Sequence, residues 1–186
     1  MTLSPRFLRP LLAGLVVLSL LPLATGCDVH QNDDVVVIGN DIIVRNFFID
    51  GGDLEISGDQ LIGSYNREEV ALTSDVVDEG AVLLYADGSL LLSGGGGTWT
   101  ALPFTVGVDE DEDLFIDYTV SYTYSYDLQD LYIDVVASDT IYPFEDMART
   151  EFKLVLIPGN LFVGSNKTAI DYTDYEAVKR AYNLPD

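Results

Sequence analysis

The chain is 186 residues long, carries nine Lys and Arg against 31 Asp and Glu, and has a formal net charge of −22 with 48% apolar residues. That apolar supply excludes a disordered chain, which lacks the surface to bury. The shortage of cations excludes nucleic-acid binding, because neutralising phosphates needs a basic face.

The first 26 residues differ from the rest. They hold Arg6 and Arg9, no acid, and an apolar run from Leu11 to Leu23. A basic start followed by an apolar run too short for a comfortable membrane span reads as a signal peptide over residues 1–26. It ends in Leu23-Ala24-Thr25-Gly26-Cys27, which resembles a bacterial lipobox, where cleavage before the cysteine follows its acylation. Cys27 is therefore the expected lipidation site, and the acylated chain is expected to anchor in a membrane. Cys27 is also the only cysteine, so an exported chain has no internal disulfide to form. The expected location is extracytoplasmic, on the outer membrane or cell surface rather than the inner membrane. Asp28 directly after the cysteine is a retention cue for the inner membrane in enterobacteria. From Cys27 onward, seven cations face 31 carboxylates. So acidic a surface suits a saline medium, where short screening lengths weaken self-repulsion.

Cys27 and the polar stretch to Asp34 read as a lipidated tether over residues 27–34, with a single domain over 35–186. His30, the sole histidine, lies in that tether, where no packed scaffold holds it for catalysis. From Val35 the pattern is β. Val35–Ile38 and Ile42–Val44 are β-branched runs split by Gly39-Asn40-Asp41, a hairpin-type break. Phe47–Ile49 runs on to a turn at Asp50–Asp53, and Leu54, Ile56, Leu61 and Ile62 give two short strands. Ala81–Tyr85 is continuously apolar, as expected of a strand buried on both faces. Leu90–Leu92 and a four-glycine loop follow, and Trp99–Val106 resumes the strand pattern, with Pro103 marking an edge or bulge.

Residues 113–126 alternate strictly. Leu114, Ile116, Tyr118, Val120, Tyr122, Tyr124 and Tyr126 share one face, while Phe115, Asp117, Thr119, Ser121, Thr123 and Ser125 lie on the other. This predicts a long half-buried strand, apolar inward and polar outward. Leu131–Val136 is expected to pair with it, and Phe152, Leu154 and Leu156 form a further strand before Pro158-Gly159. One helix is predicted, over 173–184. Thr173 and Glu176 fit a capping box, Tyr175, Val178 and Tyr182 form its apolar stripe, and Pro185 stops it. About nine short strands and one terminal helix indicate a mainly β protein, an antiparallel β-sandwich with a C-terminal α-helix.

Trp99–Val106, the hairpin after it, Glu151–Pro158 and Asp174–Ala181 occur in an order that resembles the small envelope lipoproteins of Bacteroidetes-type bacteria often labelled collagen-like. The resemblance spans roughly residues 81–184. It implies a lipobox, a β-rich domain and the terminal Asp-Tyr-Glu-Ala-Val helix, but no established activity and no catalytic residues. The Gly-Pro-rich triplets of many members are missing here, so no triple helix is implied.

Three features are candidate sites. Asp109–Asp113 places five carboxylates in a row. Asp109, Asp111 and Asp113 match the first odd positions of a calcium loop, and oxygen-only ligands suit Ca²⁺. Leu114 replaces the turn glycine and Val120 the bidentate glutamate, so a solvated hairpin tip is the first reading and a weak Ca²⁺ site the second. The tyrosine stripe shares its face with Leu114, Ile116 and Val120, and Trp99 is in phase with Ala101, so core burial is the first reading for both. Tyr124 and Tyr126 at the strand's end and Trp99 after the glycines are the candidate ligand-binding aromatics on the second. With no usable His, no free Cys after lipidation and no phosphate-binding glycine loop, an enzyme is not expected. The sequence points to a lipid-anchored structural or interaction module of the cell envelope, with an envelope protein or a glycan as partner. The alternative is a carbohydrate-binding or adhesive lectin-like domain assisted by Ca²⁺.

Overall fold

The computed structural model describes residues 34–38, 42–88, 98–110, 114–163 and 170–184. The described part is mainly β, two antiparallel five-stranded sheets face to face. The first sheet joins β1 (Asp34–Ile38), β2 (Ile42–Ile49), β10 (Thr150–Ile157), β5 (Ala81–Asp87) and β6 (Trp99–Ala101), in that order. The second joins β3 (Glu55–Ile56), β4 (Ile62–Glu68), β9 (Asp130–Ala137), β8 (Tyr118–Tyr126) and β7 (Phe104–Val108). The chain crosses from one sheet to the other at Leu102-Pro103, a cis peptide. Proline offers no ladder donor, and the two strands it joins are both edge strands.

Strand periodicity decides what each sheet face touches. Phe47 and Ile49 of β2, Leu84 of β5 and Phe152, Leu154 and Leu156 of β10 point between the sheets. They meet Val120 and Tyr122 of β8 and Leu131, Ile133 and Val135 of β9. Each such side chain contributes about 1.5–3 kcal/mol when fully buried. The other face of the first sheet carries Ile42, Val44, Tyr85, Val155 and Ile157, and these form a second core. A terminal helix α3 (Tyr175–Tyr182) covers it with Tyr175, Val178 and Tyr182, followed by Leu184. The continuous apolar runs of β5 and β10 are thus strands buried on both sides.

A 3-10 turn at Gly51–Asp53 closes the end of β2, capped reciprocally by the Asp50 and Asp53 side chains. A Cβ on Gly51 would collide with the Phe144 and Glu145 carbonyls, so the turn's close approach to the 144–146 turn requires glycine.

Several details differ from the expectations. The long strand begins at Tyr118, where β7 pairing ends with Val108 opposite Tyr118. Leu114, Phe115 and Ile116 therefore have no partner strand and stand 93%, 73% and 66% exposed, although alternation had assigned Leu114 and Ile116 to the core. The helix cap is Asp174, whose carboxylate accepts the Glu176 N–H at 2.9 Å, not Thr173. Thr173 is already committed, donating its hydroxyl to Asp171 at 2.6 Å. Two short helices, α1 (Ser74–Glu79) and α2 (Gly159–Val163), went unpredicted. Neither is long enough to display an apolar stripe. The Leu90–Leu92 run and the glycine loop lie outside the described residues.

Candidate functional site

The candidate site is the outer face of the second sheet. Alternation along β8 turns Thr119, Ser121, Thr123 and Ser125 outward, opposite the buried Tyr118, Val120 and Tyr122. The same logic turns Tyr132 and Asp134 outward from β9, since Leu131, Ile133 and Val135 are in the core. On β4 it turns out Ser64 and Asn66. Strand register then sorts these into rows across the sheet. One row reads Glu55, Ser64, Asp134, Thr123. The next reads Asn66, Tyr132, Ser125. With strands about 4.8 Å apart, the first row is a polar line about 14 Å long.

Hydrogen bonds stiffen this face. Ser64 donates to the Asp134 carboxylate at 2.6 Å, and the Thr105 and Ser121 hydroxyls pair at 2.8 Å. The Tyr132 hydroxyl lies 3.4 Å from the Asp127 carboxylate. Lost solvation on the sheet, together with the Asp127 and Asp130 carboxylates, pushes the Tyr132 phenol above its ordinary range, so it remains a neutral donor. An open groove of about 440 Å³ runs beside Tyr132, lined by Glu55, Ser64, Asn66, Ser125 and Asp134 among others. No Lys or Arg projects from this face among the described residues. Two further cavities, of about 390 and 420 Å³, flank Tyr142–Asp146 at one end of the sandwich.

The first sheet presents a different outer face. Lys153 of β10 is buried at 5% exposure beneath α3. Its ammonium lies 4.3 Å from the Trp99 ring, 4.6 Å from the Tyr175 ring and 3.2 Å from the Tyr175 hydroxyl. The rings supply the negative faces that a desolvated cation needs. Tyr85 meets Tyr175 edge-on at 5.2 Å and donates to the Tyr172 carbonyl at 2.8 Å. Trp99 packs against Tyr175 at 5.9 Å, so it serves as part of the helix seat.

The predicted aromatics do not converge. Trp99 belongs to the first sheet's outer core. Tyr124 points between the sheets and donates to the Val82 carbonyl at 2.9 Å, tying them together. Tyr126 stands at the strand's end, 38% exposed, stacked on Tyr124 with ring centres 6.2 Å apart.

In the acidic loop, Asp109 accepts the Leu114 N–H at 2.9 Å and Asp117 accepts the Glu110 N–H at 2.8 Å. The Glu110 carboxylate accepts from the Tyr118 hydroxyl at 3.0 Å. Burial and then this bond push the Tyr118 phenol up to about 12. These acids thus hold the loop's own donors. Asp111 and Asp113 lie outside the described residues, as does Cys27. Among the described residues no cluster of three or more His, Cys, Asp or Glu could hold a metal ion, and no helix is long and apolar enough to cross a membrane.

Sequence reasoning identified the polar side of β8 but missed Tyr132, Asp134, Ser64 and Asn66. Alternation in Leu131–Val135 carried the signal for two of them; only the pairing register assembles the face. No family model matches the chain, and no curated protein or solved structure is significantly similar to it.

Proposed function

We propose that the chain is a lipid-anchored, extracytoplasmic module of the cell envelope that works by binding, through the outer face of the second sheet. One observation carries the reading. α3 covers the apolar centre of the first sheet's outer face, whereas among the described residues nothing covers the second sheet's outer face, an ordered array of hydroxyls, carboxylates and one tyrosine. The resemblance to small envelope lipoproteins and the lipobox at Cys27 support the anchor. The sequence reasons against catalysis favour a binding role, since the domain from residue 35 onward has neither His nor Cys. Its acidity suits a saline exterior.

Metabolic labelling with a fatty acid tests the anchor. Label is expected on the wild type and absent from Cys27→Ser, which accumulates as precursor; a cleaved, unlabelled wild type would refute anchoring. The face is tested by attachment of the protein to envelope fragments, which a bulky cation at Thr123 or Ser125 should weaken.

A further inference from the structure

The geometry points to a neutral oligosaccharide as the ligand of the groove beside Tyr132, with Asp134, Glu55 and Asn66 as its polar contacts. This rests on the reading of the second sheet's outer face as a binding surface and names the ligand class.

Charge narrows the field first. The groove is lined by Glu55, Asp53 and Asp134, with no cation among its residues, on a chain of net charge −22. A phosphate, sulfate or uronate would meet three carboxylates and no cation to offset their repulsion. A hydrophobic ligand is no better matched, because apart from Tyr65 and Tyr132 the lining is hydroxyl, amide and carboxylate. A polyhydroxylated, uncharged ligand fits both. Its hydroxyls donate to carboxylates, which make stronger hydrogen bonds than neutral acceptors. Its C–H faces suit the negative face of the Tyr132 ring.

Shape and order point the same way. At about 440 Å³ the groove falls within the range of small-molecule sites, about 300–1,000 Å³. The row Glu55, Ser64, Asp134, Thr123 continues across four strands, which extends the contact to a short chain of sugars. The Asp134 carboxylate is held by Ser64 at 2.6 Å, and β9 fixes Tyr132 at its backbone. Groups held beforehand lose less freedom on binding. A basic peptide is the competing partner, matched by charge but not by the uncharged Ser64, Asn66 and Ser125 around the ring.

Residues 31–186 form one compact unit with its own core, so that soluble domain is the test material. It is titrated against neutral hexasaccharides (β-1,3- and β-1,4-glucan, α-1,4-glucan, xylan, mannan, chitin), oligogalacturonate, chitosan hexasaccharide and a lysine decapeptide. At least one neutral sugar is expected to bind. Its affinity should fall at least about tenfold in both Tyr132→Ala and Asp134→Asn, each still folded by circular dichroism. It should change less than about twofold between about 0.15 M and about 1 M NaCl, where the screening length drops from about 8 Å to about 3 Å. Binding of no neutral sugar, or of a sugar indifferent to Tyr132→Ala, overturns the inference. So does binding confined to chitosan or the lysine peptide and lost in high salt, which would make the face an acidic dock. In that last case the face remains a binding surface; it fails as one only if a cation at Thr123 leaves envelope attachment unchanged.

Discussion

The two outer faces of the sandwich are built from strands of one fold and come to opposite ends. On the first sheet, β2, β5 and β10 turn Val44, Tyr85, Val155 and Ile157 outward, and α3 buries them. On the second, β4, β8 and β9 turn out Ser64, Thr123, Ser125, Tyr132 and Asp134, and the groove there is open. A strand face that is apolar must be covered. One lined with hydroxyls and carboxylates can remain wet, because water satisfies its polar groups until a ligand replaces them. The closed face thus contributes stability, and among the described residues the open one is left uncovered.

Removing the cover should have the largest effect. Deleting residues 173–184 strips Tyr175, Val178, Tyr182 and Leu184 from the second core. At about 1.5–3 kcal/mol per buried side chain, the loss is of the order of the whole stability of a domain, about 5–15 kcal/mol. The truncated chain is expected to lose cooperative thermal unfolding; an unchanged melting curve would mean that the helix is undocked.

Single changes sharpen the contrast. Tyr175→Ala should cost about 3–5 kcal/mol in denaturant unfolding, the range for large aromatic truncations in cores. Tyr132→Ala on the open face should cost within about 1 kcal/mol, and Leu114→Ser within about 0.5 kcal/mol. Equal costs for the two tyrosines would erase the distinction between the faces. Between the sheets, Glu69 is 1% exposed and lies 2.8 Å from Arg45 of β2 and 3.7 Å from Arg67 of β4. The Arg67 guanidinium also stands over the Phe47 ring at 4.5 Å. Glu69→Ala removes the carboxylate from the buried Arg67 and the half-buried Arg45 and should cost about 3–5 kcal/mol.

Alkaline pH probes the buried tyrosines by titration. Burial pushes Tyr124 up to about 12 and raises Tyr85 and Tyr122 as well. A phenol is neutral when protonated, so its folded value lies above the unfolded value of about 10. The stability linked to these groups is whole below about pH 10 and is lost as pH climbs towards about 12. Ultraviolet absorbance should show these tyrosines ionising together with loss of fold, in one step. Early, separate ionisation without unfolding would contradict their burial.

Salt is expected to act more gently and on both faces alike. With a net charge of −22, the melting temperature should rise from dilute buffer to molar NaCl as self-repulsion is screened. A curve indifferent to NaCl would remove the saline-adaptation reading.

Much of this contrast was legible in the residues. The unbroken Ala81–Tyr85 run announces burial on two sides, and the strict alternation of Tyr118–Tyr126 announces burial on one. What periodicity lacks is the end of a pairing. Leu114 and Ile116 continue the pattern of β8, yet β7 has no residues opposite them, so apolar side chains in phase with the core remain in solvent. Capping was half legible for a similar reason. Thr173 and Asp174 are both good caps, and the choice turned on Asp171 taking the threonine hydroxyl, a contact that spacing does not weigh. The groove was the least legible part, since Asn66, Tyr132 and Ser125 are 66 and 7 positions apart and become neighbours only through strand register.

The most direct test of the open face is attachment of the purified protein to envelope fragments of its source cells, comparing wild type with the double variant Thr123→Arg/Ser125→Arg. Both positions project into solvent, so the variant should melt within a few degrees of the wild type. Attachment is expected to fall at least about tenfold, the mark of a disrupted contact centre. Undiminished attachment by a folded variant would contradict the assignment of this face as the one that binds.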